Sequence, residues 1–65
     1  MTRKQLTGLQ VGDEVTWVHP DSGEPLTCFV QEILTGNGYI SDMDDALVIT
    51  EGGQESYEIC AYELQ

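Results

Sequence analysis

The sequence predicts an all-β domain, a small five-stranded barrel with a short helical turn near the C-terminus. Three observations predict it. No helix-length amphipathic pattern runs anywhere in the chain; short runs rich in Val, Ile, Thr, Tyr and Trp recur along it; and Gly, Pro, Asn and Asp separate those runs. So many short strands cannot build a sandwich of ordinary size. Curled into a barrel, they leave no long open edge.

Glu14–His19 is the first run, closed by Pro20-Asp21-Ser22-Gly23, where proline presets a turn and glycine completes it. Leu26–Leu34 is the longest candidate strand. Val30 and Ile33 within it break the period of two, which predicts a bulge or a bend partway. Gly36-Asn37-Gly38 predicts a hairpin turn into a strand at Tyr39-Ile40. An acidic loop, Ser41–Asp45, precedes the strand Ala46–Thr50, and Gly52-Gly53 turns the chain into Glu55–Cys60. The tail, Ala61–Gln65, is expected to make one helical turn or a short closing strand. Alternation then predicts a core of Leu9, Val11, Val15, Trp17, Cys28, Val30, Ile33, Ile40, Leu47, Ile49, Ile59 and Leu64.

Length allows one domain, residues 1–65, with residues 1–7 expected to be flexible. A hydrophobic content of 40% is that of a folding chain, not a disordered one. No apolar run approaches the ~18 residues of a membrane span, and the first eight residues are too polar for a secretory leader, so a cytoplasmic location is expected. Cys28 and Cys60 lie in apolar strand-like runs and match no metal-binding spacing. They are expected to be reduced and mostly buried, although spacing alone leaves a bridge open.

Charge is the second strong signal. The chain has twelve Asp and Glu against two basic residues, a formal net charge of -10. Both basic residues, Arg3 and Lys4, stand at the N-terminus, so no Lys or Arg follows position 4. Such a surface repels phosphates and anionic membrane and is steered toward basic surfaces on proteins. Direct binding of nucleic acid or membrane is therefore not expected.

Leu9-Gln10-Val11-Gly12-Asp13-Glu14-Val15-Thr16-Trp17 resembles the opening of Src-homology-3-like small barrels of the Tudor and KOW kinds. Phe29-Val30-Gln31-Glu32-Ile33 with its Gly-Asn-Gly turn resembles their second strand and hairpin, and Tyr62-Glu63-Leu64 their last strand. The resemblance covers most of residues 8–64 and implies architecture, not function. The KOW kind binds nucleic acid through basic loops, which this chain lacks. Tudor domains read methylated side chains with an aromatic cage, to which only Trp17, Phe29, Tyr39, Tyr57 and Tyr62 could contribute here.

No catalytic constellation is legible. His19 is the only histidine, and nothing in the spacing couples it to Cys28 as a base to a nucleophile. The chain is not expected to be an enzyme. Asp42, Asp44 and Asp45 share one loop but lack the central glycine and distal glutamate of a calcium loop, so neither metal nor cofactor is expected. The tyrosines among acids in Glu55-Ser56-Tyr57-Glu58-Ile59-Cys60-Ala61-Tyr62 read either as barrel-end caps or as contact residues for an Arg- or Lys-rich partner.

The expected function is that of a non-catalytic module that binds a partner protein through its acidic surface. It would act as an inhibitor or regulator occupying a basic, nucleic-acid-binding groove. Asp42, Asp44, Asp45, Glu55, Tyr57, Glu58, Tyr62 and Trp17 are the expected contact residues. In size and charge the chain resembles small acidic phage-type inhibitors, including anti-restriction and anti-CRISPR proteins. The alternative is an accessory or structural subunit, or a homodimer, that docks by an edge strand or apolar patch and uses its acids only for solubility.

Overall fold

Each alternating run pairs antiparallel with the run that follows it, as consecutive strands do when no crossover joins them. A computed structural model describes all 65 residues. Strands β1 (Glu14–Val18), β2 (Pro25–Ile33), β3 (Ala46–Glu51) and β4 (Glu55–Cys60) form one antiparallel sheet in the order β1-β2-β3-β4. A five-residue helix, α1 (Arg3–Thr7), precedes the sheet, and a 3-10 turn, Ala61–Glu63, follows it. No helix is long and apolar enough to cross a membrane.

One face of the sheet carries Val15 and Trp17 of β1, Cys28, Val30 and Ile33 of β2, Leu47 and Ile49 of β3, and Ile59 of β4. Leu6, Leu9, Ile40, Ala61 and Leu64 cover that face and complete the core. The expected bulge is present. The β2–β3 register shifts between Val30 and Glu32, and the extra residue returns Ile33 to the side that Val30 occupies. In the β3–β4 hairpin Gly52 and Gly53 have φ of 62° and 78°, the left-handed pair at the centre of a turn closed by the Gln54 N–H donating to the Glu51 carbonyl.

Helix α1 is too short to persist alone. A capping box between Thr2 and Gln5 satisfies its first donors, and Leu6, 1% exposed, anchors it to the sheet. Sequence reading gave Leu6 no role.

Three expectations are corrected. Val11, assigned to the core, is 64% exposed. It sits in a turn closed by the Asp13 N–H donating to the Gln10 carbonyl, with Gly12 at φ 97°, and that turn aims the Val11 side chain at solvent. Tyr39-Ile40 is not a strand. The Tyr39 N–H donates to Asn37 Oδ1 and its carbonyl accepts from Thr35 Oγ1, so local side chains take the groups a ladder would need. Four strands are therefore present where five were expected, and the sheet is not closed into a barrel. A single bridge, Trp17 to Leu64, links the chain end to β1, beside a hydrogen bond from the Gln65 N–H to the Thr16 carbonyl.

Candidate functional site

The acidic loop after Ile40 owes its shape to one carboxylate. Asp45 Oδ2 accepts from the backbone N–H groups of Ser41 (2.9 Å) and Asp42 (3.0 Å) and from the Ser41 hydroxyl (3.2 Å). The two backbone donors favour the charged form and hold the Asp45 carboxyl below its ordinary value. Asp42 Oδ1 in turn accepts from the Asp44 N–H at 3.2 Å. The Asp44 side chain has no partner within the chain and is exposed.

This loop is fastened to the chain end. The Ala61 N–H donates to the Asp45 carbonyl (2.9 Å) and the Tyr62 N–H to the Met43 carbonyl (3.0 Å). Glu63 accepts from the Cys60 N–H at 2.7 Å and so closes the 3-10 turn that presents Tyr62. Tyr62, 58% exposed, and Met43, 38% exposed, are thus set beside Asp42, Asp44 and Glu63. The Cys60 thiol and the Glu63 carboxylate push the Tyr62 phenol above its ordinary pKa. The loop and Tyr62, far apart in sequence logic, form one acidic-aromatic surface.

Tyr57 does not join it. Position 57 shares the core-facing side of β4 with Ile59, and its ring lies 4.8 Å from Trp17 and 5.7 Å from His19. Trp17 and His19 are 5.5 Å apart. These rings pack on one another and leave no gap between them for a cation. The Tyr57 hydroxyl donates to Glu55, which together with burial pushes the phenol up to about 12. His19 Nδ1 accepts from the Asp21 N–H at 3.1 Å, so the ring caps its hairpin loop. Cys28 faces inward opposite Val15 in the middle of the sheet, and no Cys28–His19 pair is assembled.

Of the expected contact residues, Asp42, Asp44, Asp45 and Tyr62 come together, while Glu55 and Tyr57 form a separate group at the other end of β4. Glu58 projects from the opposite face of the sheet. Trp17 is a correction: at 5% exposure it belongs to the core, because alternation puts it on the side of Val15. Met43 was missed; its signal was a lone apolar residue between two aspartates. The surface has no pocket, and no group of three or more His, Cys, Asp and Glu side chains is arranged to hold a metal ion.

Comparison with protein-family models, curated proteins and solved structures returns no match.

Proposed function

We propose that the chain is a non-catalytic, acidic protein-binding module that occupies a basic, nucleic-acid-binding surface of a partner protein and inhibits or regulates it. The observation that carries this reading is the fixed surface of Tyr62 and Met43 rimmed by Asp42, Asp44 and Glu63, in a chain with no Lys or Arg after Lys4. An exposed tyrosine supplies rigid contact area and a face for cations, and surrounding carboxylates steer a basic partner toward it. In this reading the carboxylates stand in for phosphates, as in an anti-defence or anti-CRISPR mimic. The chain is then a Src-homology-3-like barrel that stays incompletely closed, a view supported by the Trp17–Leu64 bridge. The cytoplasm, where such partners occur, is the proposed location.

The test is capture of a partner from host lysate at low salt, followed by release. Duplex DNA or RNA added to the captured complex should displace the partner, and moderate salt should do the same. Retention under both treatments overturns the mimic reading. It would favour the second reading, an accessory subunit docking by an edge strand, which rests on β4 ending the sheet.

A further inference from the structure

Five of the twelve carboxylates serve the chain's own fold: Asp13, Asp42, Asp45, Glu55 and Glu63 each accept a hydrogen bond from it. The other seven accept none, so folding alone does not account for them. Three of those seven, Glu14, Glu32 and Glu58, are exposed on three different strands and project from one surface, the outward face of the sheet.

The register places them around an apolar centre. Phe29, 39% exposed, pairs with Glu14 on one side and Thr50 on the other. Val48, two residues before Thr50 and on the same face, pairs with Glu32 on one side and Glu58 on the other. Phe29 and Val48 are thus diagonal neighbours across β2 and β3, within the reach of an aromatic ring. No helix or turn of the chain covers this face, since α1 and the 3-10 turn contribute their buried residues to the core on the other side; the one polar crossing is the Ser56 hydroxyl donating to Gln31 Oε1 at 2.7 Å over β3.

We propose that this outward face is a second docking surface, and that its occupant is a partner segment presenting an apolar side chain between arginines or lysines. Charge complementarity selects that occupant. A purely apolar segment would leave three carboxylates desolvated and unpaired, whereas flanking cations pair with them as the apolar residue covers Phe29 and Val48. The inference rests on the acidic-module reading above but assigns the contact to a face that reading does not use.

The test titrates the full-length, nitrogen-15-labelled chain at low salt with the synthetic peptide Arg-Arg-Leu-Leu-Arg-Arg. Saturable amide shifts should cluster at Glu14, Phe29, Glu32, Val48 and Glu58. The double variant Glu32→Gln/Glu58→Gln should weaken binding about tenfold. Asp21→Asn/Glu24→Gln removes the same charge away from the face and should leave affinity nearly unchanged. Shifts confined to Ser41–Asp45 and Tyr62 would overturn this inference and leave the proposed function standing. Equal loss in the two double variants would overturn it too, by showing attraction to charge without a site. Concentration-dependent shifts of the same face without peptide would assign it instead to a second copy of the chain. No shift anywhere would remove the acidic-module reading as well.

Discussion

Cys28 and Cys60 point from opposite faces of one sheet, Cys28 from the buried side of β2 and Cys60 from the outward side of β4. Both are free thiols. The sheet itself stands between them, so no rotamer change brings the sulfurs together. Cys28 has no exposed surface, and burial pushes its thiol up, with the Glu51 charge adding to the effect. Cys60 is only half-buried, less than the sequence led us to expect.

A thiol reagent should therefore modify Cys60 in the native protein and Cys28 only after denaturation. Added reductant should leave Tm unchanged. Two native-state thiols of equal reactivity, or a Tm that falls with reductant, would contradict the placement.

Leu6 tests whether α1 is part of the fold. Leu6→Ala should cost about 2–5 kcal/mol, as for a strand residue such as Ile49, although the helix is only one turn and a half long. That is a large fraction of the stability of so small a domain. Denaturant melts of the two variants would measure it, and a negligible loss for Leu6→Ala would mean that α1 does not hold the core.

Asp45 should behave as the fastener of the 41–45 loop. Its carboxyl is held below the ordinary value of 3.8, so the unfolded chain takes up that proton more readily than the folded one. Its contribution is therefore complete above the ordinary carboxylate range and disappears as pH falls through the lowered value. Asp45→Ala should lower Tm at neutral pH, and the gap to the wild type should close on acidification. A gap that stays constant with pH would assign the effect to something other than the carboxylate.

Tyr57 gives the opposite sign. Its phenol is raised from 10.0 to about 12 by the hydrogen bond to Glu55 and by burial, so the folded state favours the neutral form. The associated stability is whole below pH 10 and is lost as pH rises from there toward 12. Phenolate absorbance should show one tyrosine ionising only near that upper value, and Glu55→Gln should bring it down. An unchanged titration in the variant would exclude the hydrogen bond as the cause.

Much of the fold was legible because period two is a direct record of which side a strand residue faces. Val30 and Ile33 even pointed to a bulge or bend, since no regular strand could bury both. Val11 misled because its apolar character said nothing of the turn that Gly12 permits. Tyr39-Ile40 misled because a Gly-Asn-Gly turn is as good at closing on its own side chains as at starting a strand. Leu6 was invisible, since one buried residue on a helix of this length leaves no periodicity. In the site, charge was legible and duty was not: composition could not distinguish Asp45, which holds the loop, from Asp44, which holds nothing. Nor could it separate Tyr57, which packs on Trp17 from the core-facing side of β4, from Tyr62, which the 3-10 turn presents to solvent.

That distinction sharpens the functional test. Reversing Asp45 would unfasten the loop and confuse structure with charge, whereas Asp44 has an exposed side chain with no partner of its own. Asp44→Lys moves the net charge from -10 to -8, one reversal of two units, and should leave Tm near the wild-type value. If carboxylates steer a basic partner, the variant should bind the captured partner with a slower on-rate and a flatter salt dependence. Tyr62→Ala should instead raise the off-rate, because it removes contact area and not field. Surface plasmon resonance at graded salt separates the two effects. Unaltered kinetics in Asp44→Lys together with a damaged Tyr62→Ala would favour apolar docking as an accessory subunit. Unaltered kinetics in both would take this surface out of the interface and leave the outward face of the sheet as the place to look.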